Sequence, residues 1–370
     1  MKQNLPSKPA GRLVSLDALR GFTIAAMITV NFPGLHDQVY APLQHTRWNG
    51  LTFTDLIAPI FLFVIGVSIA FAYSRRLAEK SPKGEMHRKI IIRAVKIFAV
   101  GMFLNLLPNF DIMDTRWTGT LHRIAFVFLF CGLLFLHTTW RQQAWIAAII
   151  LVGYWLAMTL IPTPGVGQVM LEPGVNLAAW VDQQWLPGNM WQGTWDPEGI
   201  LSTFPATATG ITGMLAGRLL LSKVPPHEKV NFLMVAGLAS AMLGYLWSLN
   251  FPLNEGLWTS SFVLLTSGFA ALLLGALYFV VDILGRQRGT GVGVMFGANA
   301  ITVYVLADIF ALVLYGTVFG EVPLNEQAVN AMIGWGMAPK FASMLYALFF
   351  TAVNFIPAYI LYRKKIFIKL

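Results

Sequence analysis

Charged residues and cysteine are both scarce in this 370-residue chain. Only 12% of the residues are charged, whereas 56% are hydrophobic and the mean hydropathy is +0.63. Soluble domains carry roughly 25% charged residues, so this composition favours a protein whose main solvent is lipid. The single cysteine, Cys131, cannot form an intrachain disulfide, so cysteine usage does not indicate the redox compartment. No polar segment is long enough for a separate soluble core, which favours one membrane domain over residues 1–370.

Several catalytic and targeting signatures are also absent from the sequence. It has no P-loop, no Gly-x-Ser-x-Gly elbow, no Cys-x-x-Cys and no His-Glu-x-x-His, so no metal site is predicted. No cleavable signal peptide is expected, because Asp17 and Arg20 interrupt the first apolar run and no small-residue cleavage site follows.

Apolar runs of about 20 residues, the length that crosses a bilayer, recur along the chain. They predict an all-α polytopic protein with about ten transmembrane helices, at 13–33, 54–74, 90–108, 119–137, 143–162, 199–220, 230–249, 258–284, 292–318 and 340–362. Thr54 is the expected N-cap of the second helix. The long loop at about 162–198 is expected to be extracytoplasmic, with one short helix near 176–184.

The distribution of Lys and Arg predicts the orientation of these helices. Nearly all of them fall on the segments that share a side with the N-terminus. Only Arg47, Arg116, Arg123 and Lys340 fall on the opposite side, and Arg20 lies within the first helix. Both termini are therefore expected in the cytoplasm. The net charge of +9 then reflects topology, and nucleic-acid binding is not expected.

The stretch 44–68 carries the most unusual chemistry, because it places His45 at the mouth of the bilayer. His45 could take a proton from a nucleophile or carry an acyl group, or it could simply hydrogen-bond lipid headgroups or backbone. Asp55 could orient His45 or a substrate amine, although the helix dipole alone also favours a carboxylate there. Asn31 could stabilise an oxyanion, or it could be an ordinary polar helix terminus.

Charged residues at the other end of the helices are candidates for binding an anionic ligand. Asp17 and Arg20 share a helix face, so they could form an anchoring ion pair, or Arg20 could meet an anion that enters from the cytoplasm. Arg75, Arg76 and Arg93, in or near the basic loop after the second helix, could similarly hold phosphates. Positive-inside anchoring explains the same loop without a ligand.

The outer segments combine tryptophan with carboxylates, as sugar sites do. Asp196 and Glu198 could accept hydroxyls or an ammonium, although helix capping and the interfacial aromatic belt are competing explanations. Further substrate-binding candidates are Trp48, Asn49, Arg123, Asn254, Trp258 and Asn299.

The chain resembles the heparan-α-glucosaminide N-acetyltransferase family and its bacterial relatives. The resemblance rests on residues 12–21, on His-x-x-Trp-Asn-Gly-Leu-Thr with a following Asp within 45–68, and on 119–123, 195–201, 252–258 and 297–305. It implies that acetyl passes from cytoplasmic acetyl-CoA to a glucosamine amine across the membrane. It also implies that the family's active-site histidine and asparagine are His45 and Asn31. Because the extra lumenal N-terminal domain of the animal enzymes is not seen here, we expect a smaller acceptor and a bacterial inner-membrane location.

Two other functions fit the sequence. An amino-sugar transporter would move unmodified sugar without acetyl-CoA, and an O-acetyltransferase of a cell-surface polysaccharide would make an ester in place of an amide. The other partners considered are membrane lipid and, in a homodimer, a second copy of the chain.

Overall fold

Helices are the only regular secondary structure in the parts of the chain that the computed structural model describes, residues 13–108, 110–317 and 320–368. The all-α prediction is therefore confirmed. The α-helices are α1 (Val14–Asn31), α2 (Ile57–Ala78), α3 (Lys83–Leu106), α4 (Thr120–His137), α5 (Trp140–Leu160), α6 (Leu177–Trp185), α7 (Ile200–Leu221), α8 (Pro226–Trp247), α9 (Ser260–Leu277), α10 (Thr290–Ala298), α11 (Ala300–Leu314), α12 (Leu324–Gly334) and α13 (Pro339–Arg363). Lys2, Lys8, Arg12 and Lys369, which contributed to the predicted orientation, lie outside the described residues.

Fewer helices than predicted are long and apolar enough to cross a membrane. Among the described residues there are six, or up to seven if the bent pair α10 and α11 forms one span. The prediction of ten spans is not confirmed. Helices do occupy the predicted positions of α1, α3 and α7. Their mean hydropathy is lowered by Asp17 and Arg20 in α1, by the basic residues in the first half of α3, and by Thr, Ser and Gly in α7. The predicted span 292–318 is interrupted by an 82° bend at Asn299.

Glycine contacts hold the central helices close together. A Cβ atom on Gly21 of α1 would overlap the carbonyl oxygen of Gly293 in α10, and one on Gly66 of α2 would overlap that of Gly210 in α7. Small residues allow such close approach between membrane helices, where backbone-to-backbone packing replaces the hydrophobic effect. Both α1 and α2 line the two cavities described below. The contacts of α1 with α10 and of α2 with α7 therefore help to position the walls of these cavities.

Two local predictions in the loops have different outcomes. The short helix predicted near 176–184 is confirmed as α6, whose first turn is capped by the Asn176 side chain, which accepts the N–H of Ala179 at 2.9 Å. The prediction of Thr54 as an N-cap is wrong: Thr54 begins a 3-10 turn, Thr54–Leu56, and its buried hydroxyl has no hydrogen-bond partner among the described residues. The neighbouring carboxylate of Asp55 accepts the N–H of Thr52, which precedes that turn, at 2.8 Å.

Candidate active site

His45 forms a cluster with two carboxylates that come from distant parts of the chain. Its Nδ1 lies 3.0 Å from Oδ1 of Asp55 and 2.7 Å from Oε2 of Glu255. The His45 side chain is 53% exposed, whereas Asp55 is fully buried and Glu255 is 19% exposed. In this cluster the imidazole is therefore exposed, whereas the two carboxylates that bind it are largely buried. The three ligand atoms lie within 4.8 Å of one another, a set that a cation could also use, so the absence of a metal stays a prediction.

Backbone contacts position this cluster. Asp55 accepts N–H groups from Thr46 and Thr52, which fixes both ends of the segment 46–52 that directly follows His45. That loop is tied to the loop that carries Glu255, because the N–H of Gly50 donates to the carbonyl of Leu253 at 2.8 Å. A second tie joins the same loops, since Asn254 Nδ2 donates to Asn49 Oδ1 at 3.1 Å.

The charges in the cluster are strongly coupled. Burial opposes the imidazolium form of His45, but the hydrogen bonds to Asp55 and Glu255 outweigh burial and raise the pKa of His45 to about 10. Burial raises the pKa of the Glu255 carboxyl to about 7, despite its bond to His45. The two groups therefore titrate as a unit. Because both carboxylates engage Nδ1, Nε2 is the ring nitrogen left for proton transfer or acylation.

A cavity of about 1160 Å³ adjoins the cluster; we call it the main cavity. It is larger than the roughly 300–1000 Å³ of most small-molecule sites, so it can hold two reactants at once. The side chains that line it include His45, Glu255, Asn31, Trp48, Arg123, Glu198, Trp258, Tyr304 and Asp308.

An ion-pair network stabilises one wall of the main cavity. Arg116 forms two bonds to Asp196, at 2.7 and 2.6 Å, and one to Glu198 at 2.5 Å, and its guanidinium lies 5.1 Å from the Trp191 ring. Burial disfavours the charge of Asp196, but the contact with Arg116 prevails and holds its pKa below the ordinary value. Asp196 is thus fully engaged with Arg116, whereas Glu198 also lines the cavity.

Arg123 brings a buried positive charge to the same cavity. Its Nη2 donates to the carbonyl of Pro197 and to the hydroxyl of Ser202, both at 2.5 Å, and its guanidinium lies 4.7 Å from the Trp258 ring. Its Nε has no hydrogen-bond partner among the described residues. That atom is itself buried, so the contribution of Arg123 to the cavity is the positive charge of its guanidinium.

A second cavity of about 200 Å³ lies beside Arg20 and Arg93; we call it the second cavity. Arg20 contacts Asp17 at 3.2 Å and Ser68 at 2.7 Å, so the predicted ion pair between Asp17 and Arg20 is confirmed. Phe61 and Ile124 line both cavities, so the two are neighbours across these side chains.

The structure brings together only part of the predicted site. His45, Asn31, Trp48, Arg123, Glu198 and Trp258 line the main cavity, and Asp55 bonds His45 from behind. Arg20 and Arg93 line the second cavity.

Other predicted residues lie elsewhere. Asn49 and Asn254 bond each other and line neither cavity, and Asn299 lines the second cavity, away from the predicted sugar site. Arg75 and Arg76 are near the end of α2, where Arg75 pairs with Glu79 and Arg76 lies 6.0 Å from the Tyr73 ring.

Sequence reasoning missed Glu255, Arg116 and Asp308 as site residues. Glu255 had a usable signal, because it is a charged residue in a short loop between two membrane helices and directly follows Asn254. Asp308 lies one helical turn beyond Tyr304, so both reach the cavity from one face of α11.

Comparison with known proteins identifies the relatives of this chain. The protein-family model for the catalytic region of heparan-alpha-glucosaminide N-acetyltransferase matches residues 12–249 of this chain. The heparan-alpha-glucosaminide N-acetyltransferases of Homo sapiens and Mus musculus are 28% and 26% identical to this chain over 423 residues of alignment. These alignments cover 97% and 98% of this chain but only 60% and 61% of the two relatives, so the chain spans about three fifths of their length.

Proposed function

This chain belongs to the heparan-α-glucosaminide N-acetyltransferase family, and we propose that it transfers acetyl from acetyl-CoA to the amine of a glucosamine-type sugar. The observation that carries the proposal is the His45 cluster: an imidazole held at Nδ1 by two carboxylates, at the edge of a cavity large enough for two reactants. The proposed location is the bacterial inner membrane, with the His45 end facing outward and the Arg20 end facing the cytoplasm.

The second cavity and the main cavity together provide a route for the donor. The nucleotide and phosphates of acetyl-CoA would bind near Arg20 and Arg93, since guanidinium groups suit phosphate oxygens. The slender pantetheine arm would pass Phe61 and Ile124, which line both cavities, and deliver the thioester toward His45. Asp17 would keep Arg20 in place through their ion pair.

The transfer step needs a base and an oxyanion donor. The amine nitrogen attacks the thioester carbonyl, the C–S bond breaks, and CoA leaves as its thiol. His45 takes the proton that the amine loses, through Nε2, and gives it to the leaving sulfur; in the alternative route, Nε2 first accepts the acetyl group as CoA leaves and then passes it to the amine. Asn31 lines the same cavity and would donate to the carbonyl oxygen as it becomes negative.

The acceptor would lie among aromatic and charged side chains of the main cavity. The rings of Trp48 and Trp258 offer faces for a sugar, and Glu198 offers oxygens for hydroxyl groups or an ammonium. Arg123 lines the same cavity and would place its positive charge near an oxygen of the sugar. A homodimer is compatible with this scheme but is not required by it.

The test is a direct product assay on the purified protein in detergent, with labelled acetyl-CoA and glucosamine. We expect labelled N-acetylglucosamine, identified by its mass and by its resistance to mild base. The matched control is His36→Ala, a second histidine that lines the same cavity, which should retain activity when His45→Ala does not. A base-labile ester would identify an O-acetyltransferase instead, and turnover by His45→Ala close to that of the unaltered chain would contradict the role of His45.

A further inference from the structure

The side chain of Asn299 connects a helix break to the C-terminal segment through hydrogen bonds. It lies between α10 and α11, where the chain bends by 82°, and it is only 3% exposed. Its side-chain amide donates to the carbonyl of Ile366 at 2.9 Å, and its side-chain oxygen accepts the N–H of Ile368 at 2.8 Å. A single side chain thus makes the paired donor and acceptor contacts that a neighbouring strand would otherwise provide.

The chain reverses after α13 so that this contact can form. The helix ends at Arg363, and Lys365 adopts a left-handed backbone conformation with φ of +55°. The N–H of Ile366 donates back to the carbonyl of Leu361 at 2.9 Å, which closes the turn. Residues 366–368 then run as a short irregular segment that we call the C-terminal strap.

The strap forms part of the wall of the second cavity. Ile368 lines that cavity together with Asn299, Arg20 and Arg93. The side chains of the strap stay between 44% and 47% exposed, so packing alone holds them weakly. Among the described residues, the two bonds to Asn299 are therefore the main specific attachment of the strap to the rest of the bundle.

We infer that Asn299 is a positioning residue that holds the C-terminal strap at the wall of the second cavity, where the strap retains phosphate groups of acetyl-CoA. The inference rests on the proposed function, because it takes acetyl-CoA as the molecule in this cavity. A strap attached by two neutral hydrogen bonds can open to admit the donor and then close over it. Asn299 contacts neither reacting group, so its effect should fall on donor affinity and not on the chemical step.

The experiment measures acetyl-CoA binding by calorimetry with four forms of the full-length protein in detergent. These are the unaltered chain, Asn299→Ala, the chain shortened after Lys365, and the shortened chain with Asn299→Ala. We expect the dissociation constant to rise about tenfold in each single change, the scale of losing about one or two neutral hydrogen bonds. The combined form should bind no more weakly than the shortened chain, because Asn299 has nothing left to hold.

A matched control is Asn325→Ala, another buried asparagine, which donates to the carbonyl of Gly34 and does not line the second cavity. It should leave donor affinity unchanged, and the melting temperature of every form shows whether it is folded. Equal or tighter binding by the shortened chain would overturn the inference, as would a further loss from Asn299→Ala in that chain. If the unaltered chain binds no acetyl-CoA, the proposed donor is wrong and this inference falls with it.

Discussion

The two cavities of this protein differ in how they are built and in what chemistry they offer. The main cavity takes its reactive groups from loops and helix ends, where His45, Glu255 and Arg116 lie. The second cavity takes its guanidinium groups from within helices, Arg20 on α1 and Arg93 on α3, and is about 200 Å³ against about 1160 Å³. In the proposed reaction, the loops would bring distant residues together around the reactants, and the helices would supply a cationic pocket for the donor.

The electrostatic settings differ in the same way. At the main cavity, one imidazole is paired with the lining residue Glu255 and with Asp55 behind it, and one guanidinium is paired with the lining residue Glu198 and with Asp196 behind it. In the second cavity, two guanidinium groups share the lining, and Asp17 contacts one of them. Changes in the main cavity should therefore affect turnover or stability, and changes in the second should affect donor affinity.

The sharpest test of this contrast is His45→Ala. Because it removes the only imidazole in the carboxylate cluster, we expect turnover to fall about a thousandfold, within the range for loss of a general base. Acetyl-CoA binding should be unchanged, since His45 does not line the second cavity. Turnover and calorimetric binding would be measured on the same preparation. A loss of binding that matched the loss of turnover would erase the distinction between the two cavities.

Arg116→Ala should destabilise the wall of the main cavity. It leaves the buried carboxylate of Asp196 without its ion partner, which costs about 3 kcal/mol of unfolding free energy. The measurement is the melting temperature in detergent at neutral pH, with Arg141→Ala, an exposed arginine, as the control. Equal melting temperatures for the two variants would show that the Arg116 network does not stabilise the fold.

Glu255→Gln should move the pH dependence of turnover. Glu255 helps to raise the pKa of His45 to about 10, so loss of its charge lowers that pKa. Activity that requires neutral His45 rises as pH passes its pKa, so the rise should shift to lower pH by about one pH unit or more. The pH profile of turnover at saturating acetyl-CoA measures this. A shift to higher pH, or no shift, would contradict the assignment of Glu255.

Arg93→Gln should produce a smaller effect, confined to the donor. Loss of one charge-assisted bond to phosphate weakens binding about tenfold, so the KM for acetyl-CoA should rise while kcat changes little. Arg75→Gln is the matched control, because Arg75 is exposed and its described contact is with Glu79. If Arg75→Gln raised the KM as much, the basic end would attract the donor through diffuse charge and not through this cavity.

Local spacing predicted some of these features well. The pairing of Asp17 with Arg20 follows from three-residue spacing on a helix, and the interaction of His45 with Asp55 could be expected from their closeness in the chain. Glu255 lies 210 residues from His45, so only the packing of α8 and α9 against the rest of the bundle brings it there.

The failures have physical causes too. Asn299 was predicted as a substrate residue because it is a polar residue near an aromatic one, Tyr304, but residue type does not show which cavity a side chain lines. Thr54 was expected as a cap because its residue type suits that position, but its hydroxyl accepts no N–H among the described residues. In both places, the outcome depends on partners that a single segment does not contain.

The most direct test of the central claim uses sealed proteoliposomes in which the protein has one known orientation. Labelled acetyl-CoA would be supplied at the Arg20 end and glucosamine at the His45 end, with His45→Ala alongside. We predict labelled N-acetylglucosamine at the His45 end only with the unaltered chain and only with the donor at the Arg20 end. Product formed only when both substrates are at one end, or unmodified sugar crossing without acetyl-CoA, would contradict the account.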